Sequence, residues 1–350
     1  MSILKDKVIL VTGGTGSMGS EITRYALREG AKRVIVLSRD EIKHFLLRKR
    51  LQDERLEHII GDVRDMRAIE GVFNRFPIDI VYHAAAMKHV VMCEEFPLQT
   101  VETNILGTQN VVDLALKYRV AKMITVSTDK AAYPVNVMGA SKLIAERMTL
   151  NANRISPGGQ AFSCVRYGNV AISRGSVIPI YIDNLLHRKP IQVTDYEVTR
   201  FIMGITEAIK LVVEATEYAR GGEIFILKMK AFRLKDLVEV MLKRVAPRLG
   251  VSPKEIKVRH TGLLKGEKLD EDLISRIEAQ HLYELGDMFV VLEDDRLVAS
   301  YKGIKKMNLS EYTSKSVPLI SKDEIEAIVM SYLKEQLTSG ELQHVNGINP

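Results

Sequence analysis

The sequence predicts an α/β fold: a Rossmann-type doubly wound parallel sheet with a smaller, discontinuous α/β lobe. Three observations carry that expectation. Up to Gly168, short β-branched runs alternate with longer runs of helical spacing, the pattern of a parallel sheet wound with helices. The first of these runs, Val8-Ile-Leu-Val-Thr12, passes directly into Gly13-Gly14-Thr15-Gly16-Ser17-Met18-Gly19 and then into a helical stretch. Beyond Gly168 the rhythm gives way to short mixed elements. Residues 1–168 are therefore expected as a dinucleotide-binding domain and 169–300 as a lobe that returns part of the chain to the sheet. Residues 301–350 are expected as an extension with one helix.

Strands are expected at Val8 to Thr12, Arg33 to Leu37, His58 to Gly61, Ile78 to His83, Met123 to Ser127 and Phe162 to Arg166, with helices between them. Glu95 to Tyr118 and Asn136 to Asn153 have helical apolar spacing, the first through Val101, Ile105, Val111, Val112 and Leu116. Crossovers of this length require strands that run parallel. In the second lobe the spacing predicts helices at Val177 to His187, Ile205 to Tyr218 and Leu234 to Val245. Short strands are predicted at Ile191 to Val193 and Glu223 to Leu227. The segment Tyr301 to Pro318 reads as polar and irregular, and Lys322 to Leu337 as a last helix.

Of the 350 residues, 46% are hydrophobic and 27% charged, a composition that excludes disordered and fibrous classes. The most apolar stretch, Ile80 to Met92, is interrupted by His83, Lys88 and His89, so no membrane span is expected. The opening Met1-Ser-Ile-Leu-Lys-Asp-Lys7 lacks the layout of a secretory signal, which points to the cytoplasm. Two cysteines, Cys93 and Cys164, are too few for a disulfide framework or a four-ligand zinc site, and Cys164 reads as core filler. The net charge of +6 suits nucleic acid or a phosphate-rich nucleotide alike. Its densest basic cluster, Lys43 to Arg50, contains Phe45, Leu46 and Leu47 and reads as a solvated helix face, so nucleic acid is not expected as a partner.

Strand, glycine loop and helix arrive in the order that a dinucleotide pyrophosphate requires. Gly13 and Gly16 allow the tight turn and the close backbone approach, Gly19 allows close helix packing, and Thr15, Ser17 and Met18 complete the loop. A bare strand-to-helix turn uses similar glycines, but the second strand at Arg33 adds the context of a nucleotide site. At the end of that strand stands Leu37-Ser38-Arg39-Asp40-Glu41-Ile42-Lys43. Ser38, Arg39 and Lys43 suit a 2′-phosphate, so NADP is expected rather than NAD, while Asp40 caps the next helix. Asp62 and Val63 are expected to flank the adenine, and Ala84, Ala85 and Ala86 to lie beside a flat ligand.

The fifth strand empties into Ser127-Thr128-Asp129-Lys130, and Met138-Gly-Ala-Ser-Lys142 follows on a helix. Ligands of open α/β sheets sit beyond the carboxyl ends of strands, where a neighbouring carboxylate and ammonium can work as acid and base. A helix cap with a surface lysine is the alternative for Asp129 and Lys130. These segments, with His-Ala-Ala-Ala-Met-Lys-His-Val, Thr-Asn-Ile-Leu-Gly-Thr and Arg-Tyr-Gly-Asn-Val-Ala-Ile-Ser-Arg-Gly-Ser-Val-Ile-Pro, resemble the extended short-chain dehydrogenase/reductases acting on nucleotide sugars. Within them the chain is most similar to the UDP-N-acetylglucosamine 4,6-dehydratase family of polysaccharide biosynthesis, in its capsular-type 4,6-dehydratase/5-epimerase subgroup. The resemblance runs from about Lys7 to Leu292.

It implies a UDP-sugar substrate, NADP and a homo-oligomer. It further implies hydride removal at C4, loss of water across C5 and C6, and hydride return at C6, with C5 epimerisation. Asp129 then corresponds to the acid on the C6 hydroxyl, Lys130 to the base at C5 and Lys142 to the holder of the nicotinamide ribose; Thr128 offers a hydroxyl beside the sheet end. Lys88, Asn169, Arg174 and Arg200 correspond to positions that meet the nucleotide sugar. Two departures stand out. Met138 occupies the place of the tyrosine most such enzymes use as base, as in the capsular-type relatives. Leu263-Leu-Lys-Gly-Glu-Lys268 lacks the arginine expected before Gly-Glu-Lys, leaving Lys265 or Arg259 for the diphosphate. A nucleotide-sugar 4-epimerase and a non-catalytic NADP-binding sensor are the alternatives.

Overall fold

β-Branched residues covered on both faces by helices form the inner strands of a parallel sheet, and the apolar runs at the start of the chain do so. The structure, a computed structural model, describes residues 2–173 and 175–338. It divides into two compact units. The first comprises Met1–Tyr167, Thr206–Lys228 and Asp272–Glu311; the second comprises Gly168–Ile205, Met229–Glu271 and the chain from Tyr312.

In the first unit, strands β1 (Val8–Thr12), β2 (Arg33–Ser38), β3 (Leu56–Ile60), β4 (Ile80–His83), β5 (Lys122–Thr128) and β6 (Ala161–Tyr167) pair in parallel in the order β3-β2-β1-β4-β5-β6. The order reverses between β1 and β4, the switch point where such sheets bind ligands. Thr12 lies beside both Leu37 and His83, and Thr128 beside Tyr167, so the carboxyl ends of these strands are neighbours. Helices α1 (Ser17–Arg28), α2 (Glu41–Leu51) and α3 (Met66–Arg75) connect the early strands. Asp40 caps α2 through the Lys43 amide at 3.0 Å, and Asp65 caps α3. Val8, Leu10, Ile35, Val72, Phe73, Val111 and Phe162 belong to one buried core.

The stretch from 95 to 118, expected as one helix, is broken. A short helix α4 (Val90–Glu95) ends where it begins, and α5 (Pro97–Thr100), a π-helical segment (Val101–Leu106) and α6 (Gly107–Lys117) follow. Pro97 has no amide to donate, which ends the first helix at Phe96. Helix α7 (Val137–Ile155) begins at Asn136, whose side chain accepts from the Gly139 amide at 2.7 Å.

The second unit contains β7 (Asn169–Val170), β8 (Ile191–Val193), β9 (Thr199–Met203), β11 (Lys230–Arg233) and β12 (Val258–His260), in sheets ordered β11-β9-β7 and β12-β8. Helices α8 (Val177–Leu186), α10 (Leu234–Val240), α11 (Ala246–Arg248) and α13 (Lys322–Thr338) pack there around Ile182, Leu185, Leu237, Val329 and Leu333. The helix expected to run to Val245 turns π-helical from Met241 to Val245. A short strand, β17 (Tyr312–Thr313), precedes α13.

Two elements within residues 169–300, the lobe expected to return part of the chain to the sheet, lie in the first unit. Helix α9 (Ile205–Tyr218) leads into β10 (Ile224–Leu227), which is buried throughout and pairs in parallel with β6. Fourteen helical residues suffice for a crossover, which is why this segment extends the sheet. Beyond β10 come the antiparallel strands β15 (Met288–Val291) and β14 (Leu282–Leu285), then β16 (Lys305–Lys306). Strand β13 (Asp272–Ile274) and helix α12 (Asp295–Ser300) complete the unit. The segment from 301 is accordingly shared: its part to Glu311 goes with the sheet and the rest with the second unit.

Candidate active site

The cofactor end is shaped by missing side chains. Gly13 has φ +65°, and a Cβ there would stand 2.7 Å from the Ala85 amide nitrogen and 2.8 Å from the Ala84 carbonyl oxygen. A Cβ on Gly19 would meet the Gly13 oxygen at 2.3 Å, so only glycine lets α1 start this close to the loop. Gly16 is the N-cap of α1 without a side-chain cap, and Ser17 and Met18 begin the helix. Its first amides thus lie at the switch point, a donor array suited to a pyrophosphate. Ala84, Ala85 and Ala86 line the adjoining loop after β4. These features fit a dinucleotide.

At the end of β2, the Ser38 hydroxyl lies 2.7 Å from that of Thr15 and 2.9 Å from Nε2 of His44. His44 Nδ1 is 3.0 Å from Nδ1 of His58, and burial pulls both imidazoles down, His58 to about 4. Because Nε2 of His44 also faces the Ser38 carbonyl at 3.1 Å, an acceptor only, it carries the proton. Arg39 is exposed and pairs with Asp62 at 3.6 Å, while Lys43 turns back to Asp40 at 2.6 Å. Burial would raise the Asp62 carboxyl, but hydrogen bonds from Arg64 hold it below its ordinary value. The Val63 side chain does not face this surface: it is buried where a Cβ on Gly107 would touch it, at 2.7 Å.

At the reaction end, Asp129 is 1% exposed. Its Oδ1 accepts from the Thr128 hydroxyl at 2.7 Å, the Lys130 amide at 2.9 Å and the Lys130 Nζ at 3.0 Å. Its Oδ2 is buried and has no partner. Asp129 is the first residue of a 3-10 turn whose N-cap is Thr128, and its Oδ1 takes the amide of the very next residue, so it does not cap that turn. Gly139, in the first turn of α7, makes the closeness possible, since a Cβ there would lie 2.4 Å from the Lys130 oxygen. Lys142 is buried and donates to the Val126 carbonyl at 2.5 Å; burial lowers its ammonium and Glu146 opposes the shift. Met138 is buried on the same helix, and Tyr133 is turned to the Arg276 amide at 2.6 Å. Lys88 is exposed in the loop before α4.

Of the remaining expected residues, Asn169 lies on β7 and Arg259 is exposed on β12, both in the second unit, and Arg174 lies outside the described residues. Arg200, on β9, is committed to its own unit. It donates to the carbonyls of Thr199, Leu269 and Lys268 at 2.8, 3.0 and 2.9 Å and to Glu267 at 2.8 Å.

Sequence reasoning passed over three buried polar residues. Asn104, in the π-helical segment, bonds both backbone groups of Met87 and the Ser141 hydroxyl at 2.7, 3.0 and 2.9 Å, tying the loop after β4 to α7. His83 bridges Thr12 and Thr108 at 2.7 and 2.9 Å and is held neutral by burial, at about 3. Arg166 sits fully buried on β6. The available signal was polarity inside runs that are otherwise apolar.

A family profile described as "Polysaccharide biosynthesis protein" matches residues 9–293. The chain belongs to that family. Among polysaccharide biosynthesis proteins and their relatives, an uncharacterized membrane protein of Methanocaldococcus jannaschii is 46% identical over 94% of this chain and 97% of its own. No described helix of the present chain is long and apolar enough to cross a membrane. A UDP-glucose 4-epimerase of Rickettsia akari is 36% identical over 95% of this chain and 98% of its own. The solved structure of Pen from Bacillus thuringiensis superposes with TM-score 0.86 at 38% identity, covering 96% of this chain and 99% of Pen. DesIV, a dTDP-glucose 4,6-dehydratase from Streptomyces venezuelae solved with NAD, shares the fold at TM-score 0.68 and 22% identity, over 95% and 98% of the two chains. The architecture is that of the extended short-chain dehydrogenase/reductases.

Proposed function

We propose that this protein is an NADP-dependent nucleotide-sugar 4,6-dehydratase acting on UDP-N-acetylglucosamine, with epimerisation at C5, for a surface polysaccharide or glycan precursor. The carrying observation is the buried Asp129 carboxylate, with one oxygen bound to Lys130 and the other unpartnered. Gly13, Gly16, Gly19 and the 84–86 loop hold the dinucleotide, with Ser38 and Arg39 at its 2′-phosphate, and Lys142 at the nicotinamide ribose. Bound there, the nicotinamide supplies hydride acceptance and return. Once C4 is a ketone, the C5 proton is acidic and Lys130 takes it; the C6–O bond breaks as Asp129 gives its proton to the departing hydroxyl, which leaves as water. Lys130 then returns its proton to C5 as C6 becomes a methyl group, and the proton released by the C4 hydroxyl passes through Lys130 to Asp129, 3.0 Å away, which restores the starting state. Asn169 and Arg259 serve the nucleotide sugar, and Arg200 positions residues 267–271 rather than touching it. Both ligands are phosphorylated and membrane-impermeant, which sets the reaction in the cytoplasm. The exposed Met92, Phe96, Leu98, Leu106 and Ile144 on α4 to α7 support self-association as a homo-oligomer.

The relatives named UDP-glucose 4-epimerase favour a second reading, inversion at C4. That reaction removes no hydroxyl and needs no acid at C6. The discriminating experiment is Asp129→Asn and Lys130→Met: each is expected to lower water loss by roughly 10²–10⁴-fold while cofactor binding persists. Normal turnover in both variants would refute the assignment.

A further inference from the structure

Behind the reaction end lies a buried charged cluster that the proposed chemistry does not use. All five N–H groups of Arg166 are satisfied. Nε and Nη2 donate to the two oxygens of Glu146 at 3.0 and 2.6 Å, Nη1 and Nη2 to those of Glu278 at 3.0 and 2.9 Å, and Nη1 again to the Leu273 carbonyl at 2.9 Å. Arg166 and Glu146 are fully buried and Glu278 nearly so. Glu146 also accepts from the hydroxyl of Ser127, the residue before Thr128. Two carboxylates against one guanidinium leave an excess negative charge in the interior, which is costly unless balanced. Glu146 stands four residues beyond Lys142 on α7, hence on the same face. Among the groups that interact electrostatically with Lys142 are Glu146, the Cys164 thiol and His83. Burial keeps the last two neutral, pushing the thiol well up and the imidazole down. Lys142, buried one turn back on the same helix face, supplies a positive charge to set against that excess.

We propose that Glu146, Arg166 and Glu278 are positioning residues: their excess charge offsets that of the buried Lys142 one turn back on α7, and the Ser127 tie fixes the strand end that carries Thr128 and Asp129. The role of Lys142 and Asp129 in turnover rests on the reading above, whereas the charge balance does not. The network also couples residues 273–278 to α7.

A melting cycle over Glu146→Gln, Lys142→Met and the double variant reads the balance without turnover. Each single change leaves an unpaired interior charge and the double does not. The double is therefore expected to melt higher than the two losses added, by about 2–4 °C or more. If Glu146→Gln does not fold, Glu278→Gln takes its place in the cycle. In turnover, Glu146→Gln is expected to move the alkaline limb of the kcat profile acidward by about one pH unit. Ser127→Ala, which keeps every charge, is expected to lower kcat about tenfold with the limb in place. Additive melting losses with an unmoved limb would overturn the proposal. If no nucleotide sugar is turned over, the function reading fails and the melting cycle alone decides the charge balance.

Discussion

Ser38 and Asp129 were both legible as residues, but their partners were not. The sequence places a hydroxyl and a guanidinium after the second strand; it does not show that Ser38 is held between Thr15 and a histidine pair, because His44 and His58 come from two different elements. For Asp129, adjacency to Lys130 was visible, whereas the orphan Oδ2 is a product of burial. Arg39 is a case where the structure narrows the argument. Its pair with Asp62 spans 3.6 Å at an exposed site, an interaction of little strength that a phosphate can displace. Arg39→Ala is accordingly expected to narrow the proposed preference for NADP over NAD by about 1.5–3 kcal/mol, the range of a hydrogen bond to a charged group. Calorimetry with the two cofactors checks this; equal affinities in the unaltered protein would contradict the assignment of NADP.

Among the elements, the strands that carry the sheet were readable because each is a short apolar run between turn residues, and β1, β8 and α9 fall at the expected bounds. The stretch before α6 was not, since apolar spacing alone does not distinguish an α from a π turn. Its irregularity brings Asn104 to Met87 and Ser141. The joint between the Asp129 turn and α7 depends on Gly139. Gly139→Ala drives a Cβ into the Lys130 backbone, and we expect a loss of about 1–3 kcal/mol in stability together with at least about tenfold slower turnover. Gly71→Ala on α3, where nothing lies within 4 Å, is the matched control and should be neutral or slightly stabilising. A Gly139→Ala protein with unaltered rate and melting temperature would show that this contact does not set the position of Lys130.

For the whole molecule, three buried or half-buried histidines set a common pH dependence. His58 and His83 are pulled to about 4 and about 3, and His44 is lowered as well, each chiefly by burial. Below the ordinary imidazole value near 6.5 the unfolded chain therefore binds more protons than the folded one. Their contribution to stability is complete above that pH and is lost progressively as the pH falls toward 3. Melting temperatures recorded from pH 7.5 to 4 should decline below pH 6.5, and His58→Gln should flatten the part between 6.5 and 5, where few carboxylates titrate. A flat curve in the unaltered protein over that interval would count against the buried neutral imidazoles. At this scale the sequence showed the class of the sheet and the break near Gly168. It pointed to a return of the chain to the sheet within 169–300 but not to α9 and β10 as the part that returns, because an apolar four-residue strand looks the same in either unit. Incubation of this polysaccharide biosynthesis protein with NADP and UDP-N-acetylglucosamine, with the sugar followed by NMR, decides whether it removes water from a nucleotide sugar. A dehydratase yields a 4-keto-6-deoxy hexose, its C6 converted to a methyl group; a sugar that keeps its C6 hydroxyl and is inverted at C4 alone would refute the proposed dehydration.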